Sequence, residues 1–63
     1  MNNEIQVGSK VKFNHWGDYG VMVGIVEQLY ESIDGMSAAV RISEGQFQET
    51  LFHPYLRNCS LIE

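Results

Sequence analysis

The sequence predicts an all-β domain of five short strands. Three observations carry this reading. The first segment alternates apolar and polar residues, glycine-containing turns divide the chain into strand-length pieces, and no stretch sustains the period of an amphipathic helix. At 63 residues there is room for one domain only, near the lower size at which a chain buries enough apolar surface to fold without metals, disulfides or partners.

In the first strand, predicted over Ile5 to Phe13, Ile5, Val7, Val11 and Phe13 are apolar while Gln6, Lys10 and Lys12 are polar, the signature of a half-buried strand. Asn14 to Gly20 then holds two glycines, an Asn and an Asp, which reads as a loop with positive-φ positions. From Val21 to Tyr30 both parities are apolar at first and alternate only later. A second strand buried on both sides, which in so small a chain needs a partner, or one that bends between two sheets looks like this, and Gly24 is a natural place for such a bend. Glu31 to Met36 is a turn whose Asp34-Gly35 pair suits a tight hairpin. The third strand follows, with Ala38, Val40 and Ile42 alternating with Ala39, Arg41 and Ser43. Glu44-Gly45 turns into a fourth strand, Phe47 to Phe52. Pro54 cannot donate to a β-ladder, so His53 to Arg57 is expected to be a turn or short 3₁₀ segment, with Cys59 to Ile62 as the final strand.

Composition narrows the function classes. The hydrophobic fraction of 44% with 11% aromatics is that of a folded chain. Four basic residues against eight acidic ones leave a net charge of −4, the wrong sign for holding phosphates by counterion release, so nucleic acid is disfavoured as a partner. The single Cys59 cannot form an internal disulfide, the first residues lack a signal-peptide pattern, and the apolar run Gly20 to Val26 is far short of the roughly 20 residues a membrane helix needs. A cytoplasmic protein without a membrane partner is expected.

The segments Gly8-Ser-Lys-Val-Lys-Phe13, Gly20-Val-Met-Val-Gly-Ile-Val26 and Ala39-Val-Arg-Ile42, with a Pro-containing turn before a last strand, resemble small SH3-like barrels: KOW modules, Tudor-like domains and short phage or plasmid proteins. The resemblance implies a five-stranded SH3-like barrel with a short 3₁₀ turn before the last strand, which pairs with the first. Gly17, Gly20 and Gly24 are similar to the glycines of a KOW loop, but the basic residues that would serve nucleic acid there are missing. The order of segments is also similar to type II trimethoprim-resistant dihydrofolate reductases, tetramers that share a central pore. Their pore is lined by a Val-Gln-Ile-Tyr strand where this chain reads Glu49-Thr50-Leu51-Phe52, so no catalytic residue carries over.

No constellation for chemistry emerges. His15 and His53 are the only histidines, and with Asp18 and Cys59 they lack the close spacing of a zinc site. Cys59 in a short apolar strand reads as packing rather than as a nucleophile. No catalytic residue, metal or cofactor is expected. The strongest candidate site is the loop His15-Trp16-Gly17-Asp18-Tyr19 together with the turn before the last strand. In an SH3-like fold these line one groove, where Trp16, Asp18 and Tyr19 would meet Phe52 and Tyr55. Flat aromatics beside a carboxylate suit an extended proline-rich peptide or a cation, and such residues anchor protein interfaces. Equally, Trp16 and Tyr19 in so small a domain serve as a lid over one end of the core, and blue-shifted, poorly quenched Trp16 emission would mark that role.

Met22, Gly24 and Val26 have the opposite parity to Val21, Val23 and Ile25, so one set is expected to face outwards. Met22 and Val26 are the candidates for a homo-oligomer interface, unless bending turns both sets inwards. Lys10, Lys12 and Arg41 fall on the polar parity of their strands, as ordinary solvated residues. The reading that best fits is a non-catalytic accessory or regulatory module that binds another protein, such as a phage-type inhibitor of a host factor. A KOW-like nucleic-acid module and a subunit of a pore-sharing oligomeric enzyme are the alternatives.

Overall fold

The computed structural model of the chain describes residues 5–15 and 20–62. Strands β1 (Lys10–His15), β2 (Gly20–Ser32), β3 (Gly35–Ile42), β4 (Leu51–Phe52) and β5 (Cys59–Leu61) form one sheet in the order β4-β3-β2-β1-β5. Every pairing is antiparallel. A 3₁₀ turn at Leu56–Asn58 precedes β5, which pairs with β1 from Val11↔Leu61 to Phe13↔Cys59. The expected all-β, five-stranded class is therefore the observed one. Among the described residues no helix is long and apolar enough to cross a membrane.

The long strand β2 joins the two halves of the sheet. Its first half pairs with β1 from His15↔Gly20 to Lys10↔Ile25, and β3 pairs with it from Gly24↔Ile42 to Ser32↔Gly35. Val26 opposes Val40 and Gln28 opposes Ala39, which leaves Glu27 as an extra residue. Such a bulge raises the local twist and bends the strand. The sheet curls over its own core as a result, and the rings of Phe13 on β1 and Phe52 on β4 lie 6.2 Å apart although their strands are not neighbours. The irregularity in the ladder thus falls at Glu27 rather than at the expected Gly24. Gly24 instead sets how closely two strands approach, because a Cβ there would strike the Arg41 carbonyl oxygen and lie 2.6 Å from Val40 Cγ1. Only glycine lets β2 come this near to β3.

Val11, Phe13, Met22, Val26, Ala38, Val40 and Ile42 form the core, and Ile5, Leu29, Phe47, Phe52, Leu56, Cys59 and Leu61 pack against it. Full burial of one of the larger aliphatic side chains stabilises the fold by roughly 1.5–3 kcal/mol. The expected oligomer stripe is corrected here, because Met22 and Val26 are 5% and 1% exposed and belong to this core. Facing residues of a ladder share one side of a sheet, so Met22, opposite Phe13, and Gly24, opposite Val11, must follow those two residues inwards. Val21, at 62% exposure, and Ile25 take the outward side.

Further expectations change. The first strand begins at Lys10, not Ile5, because Gly8 takes φ +98° and the Ser9 amide donates back to the Gln6 carbonyl, closing a turn. Val7 is consequently exposed. Strand β1 also runs on through Asn14 and His15, and β2 already begins at Gly20, so these three residues are strand rather than the loop expected there. Only Leu51–Phe52 of the fourth strand forms, since Gly45 and Glu49 adopt φ +91° and +75° and the Gln48 and Thr50 amides donate to Gly45 and Phe47 carbonyls within a turn. The β2–β3 hairpin is tight, but its turn is Ile33-Asp34 rather than the expected Glu31 to Met36, because Glu31 and Ser32 already pair with Met36 and Gly35. Gly35 at φ +126° opens β3, and Ser32 Oγ bridges the Gly35 carbonyl at 2.7 Å and the buried Ser37 hydroxyl at 2.8 Å.

Candidate functional site

The turn that follows β4 is docked against β3 by its backbone. The Ala38 amide donates to the Pro54 carbonyl at 3.0 Å, and Tyr55 forms an isolated bridge with Ser37. Pro54 can only accept, so it fits at a point where the ladder uses its carbonyl alone. The chain then turns, with the Asn58 amide donating to the Tyr55 carbonyl at 2.9 Å.

Side chains fix this turn to the β2–β3 hairpin. Tyr55 Oη donates to Asp34 Oδ2 at 3.3 Å, Arg57 Nη1 donates to the Asp34 carbonyl at 3.0 Å, and the Arg57 guanidinium lies 4.4 Å from the Tyr55 ring centre. Stacking of a cation on a ring face with a polar tether at each end holds an aromatic in one orientation at small entropic cost. His53 is held likewise, its Nδ1 3.2 Å from Tyr30 Oη and the two rings edge to face. Phe52 packs between Phe13 and Phe47, whose ring centres lie 6.2 and 5.7 Å from its own.

Between this turn and the end of β1 lies a cleft of about 190 Å³. Phe13 and Phe52 line it from the core side, Pro54 and Tyr55 from the turn, and the exposed Asn14 and Asn58 at its edge. Two of the expected site residues, Phe52 and Tyr55, thus come together on one concave surface. Trp16, Asp18 and Tyr19 lie outside the described residues. Asn14 lies near the end of β1, so the cleft borders that strand end. Sequence reasoning missed Phe13, Asn14 and Asn58. Phe13 has core parity and nothing marks its edge as accessible, while single asparagines carry no motif.

Cys59 and the Glu27–Arg41 pair serve packing and surface order. Burial pushes the Cys59 thiol up, away from the reactive thiolate, and its Sγ donates to the Tyr55 carbonyl at 3.5 Å. Arg41 is more than a solvated residue: it forms a two-point ion pair with Glu27 at 2.9 and 3.1 Å and donates to the Glu49 carbonyl. The hydrogen bond to Arg41 lowers the Glu27 pKa, and the same contact raises that of Arg41. Among the described residues no group of three His, Cys, Asp or Glu side chains is placed to hold a metal ion. Compared with family models, curated proteins and solved structures, the chain shows no match.

Proposed function

We propose that the chain is a non-catalytic, cytoplasmic accessory or regulatory module that binds another protein through the cleft at Phe52 and Tyr55 and through the segment that carries Trp16 and Tyr19. The observation that carries this reading is the aromatic cleft itself. Tyr55 is oriented in advance by Asp34 and Arg57, and Phe52 by two neighbouring rings, so a partner that fills the cleft does not have to order them. The acidic balance of the chain favours a protein over a nucleic acid as the occupant.

The test is a pull-down from native cell lysate with the immobilised chain, with and without nuclease. It is repeated with Tyr55→Ala, with the surface variant His53→Ala, and with Trp16→Ala/Tyr19→Ala after each is confirmed to fold. The proposal expects a nuclease-resistant protein that Tyr55→Ala and Trp16→Ala/Tyr19→Ala lose and that His53→Ala holds less tightly. Partners that vanish with nuclease, or that all folded variants retain, would count against it.

A further inference from the structure

We infer that the cleft is one end of a longer groove that takes an extended peptide carrying an apolar side chain and, a short distance along, an acidic one. This rests on the protein-binding reading above and deepens it. A second concavity of about 260 Å³ is lined by Lys12, Val21 and Ser60 and shares Phe13, Asn14 and Asn58 with the first. Three shared residues make the two spaces neighbours across a saddle formed by the asparagines. The β-ladders explain the arrangement. Lys12 opposes Ser60 and Asn14 opposes Val21, so these outward side chains of β1, β2 and β5 form adjacent rows leading away from the aromatic end.

The chemistry differs along the groove. One end presents Phe52, Pro54 and Tyr55, and the other presents Lys12 beside the exposed Val21. Among the described residues lining the two concavities there is no carboxylate, although the chain carries a net charge of −4. Lys12 has no ion-pair partner among the described residues. A cation unpaired among the described residues of an acidic protein, next to apolar surface, complements a carboxylate on the ligand and repels a basic one. On the saddle, the Asn14 and Asn58 side chains make no hydrogen bond among the described residues. Each amide offers a donor and an acceptor, which matches the N–H and C=O of an extended backbone. Apolar anchor, backbone grip and acidic contact therefore follow one another in the order a peptide would meet them. A nucleic acid fits poorly, because one lysine beside an apolar surface cannot neutralise a run of phosphates.

The test is selection of random twelve-residue peptides, displayed on phage, against the full chain, followed by binding titrations of the selected peptide. The inference expects an aromatic or aliphatic residue and an Asp or Glu at fixed spacing. Lys12→Glu should weaken the selected peptide roughly five- to tenfold, from one lost ion pair plus the new repulsion, and reselection on that variant should place Lys or Arg at the acidic position. Asn14→Ala/Asn58→Ala should weaken binding without changing the selected pattern. Peptides without an acidic preference, bound equally by Lys12→Glu but lost in Tyr55→Ala, would overturn the groove and leave the cleft standing. Failure to enrich any peptide, or enrichment indifferent to Tyr55→Ala, His53→Ala and Lys12→Glu alike, would remove both.

Discussion

Replacing Gly24 by alanine tests how the fold closes. A methyl group there would meet the Arg41 carbonyl oxygen, Val40 Cγ1 at 2.6 Å and the Arg41 carbonyl carbon at 2.9 Å. Two of these three atoms are backbone, held by the β2–β3 ladder, and the third belongs to a fully buried valine. None can move aside without shifting strand β3 or the core, so the cost is that of overpacking, typically about 1–3 kcal/mol. A domain of this length has a total stability of roughly 3–9 kcal/mol. With a urea m-value of about 1 kcal/mol/M for a small protein, the midpoint should fall by roughly 1–3 M. Gly45→Ala is the internal comparison. Its Cβ meets nothing within 4 Å, and only the φ of +91° opposes it, so the cost should be about 1 kcal/mol. The measurement is a pair of urea titrations followed by far-ultraviolet circular dichroism. An unchanged midpoint for Gly24→Ala, or a larger loss for Gly45→Ala, would refute the close approach of β2 to β3.

Other parts of the structure yield separate expectations. Ser32→Ala should cost about 1–3 kcal/mol because it strands the buried Ser37 hydroxyl, whereas Ser37→Ala should cost less, a difference readable in thermal melts. The lowered Glu27 pKa means that the contribution of the Glu27–Arg41 pair is present above the ordinary carboxylate range and lost as pH falls through the lowered value. Arg41 stays charged throughout, so urea midpoints of the native chain and Glu27→Gln should converge in acid. With the Cys59 thiol pushed up by burial, alkylation at mildly alkaline pH should be much slower in the folded chain than in urea, and equal rates would show that the thiol is not shielded.

Much of the architecture was legible because alternation directly encodes which side of a strand faces the core. Val11 and Phe13, then Ala38, Val40 and Ile42, lie inside as their parity requires. Pro54 likewise announced the turn before β5. What was not legible depended on pairing register. In Val21–Val26 both rows are apolar, and the inward row is weakened by Gly24, whose missing side chain reflects a tight contact with β3 that no local pattern reveals. Turn chemistry hid the rest, since Gly8 and the non-glycine Glu49 adopt positive φ inside stretches that otherwise read as strand. For the site, Phe52 and Tyr55 stood out as aromatics near a proline. Asn14, Asn58 and Lys12 matter only because β1, β2 and β5 bring them side by side.

The central claim, that a protein partner occupies the cleft at Tyr55, is tested most directly by site-specific photo-crosslinking in native lysate after nuclease treatment. A benzophenone amino acid is placed at His53, beside Tyr55 in the turn, and in a control at the exposed Val7, which does not line the cleft. The account predicts a discrete protein adduct from position 53, absent from position 7 and suppressed when Tyr55→Ala is added. Adducts of equal strength from both positions, or an adduct at position 53 that survives Tyr55→Ala, would contradict it.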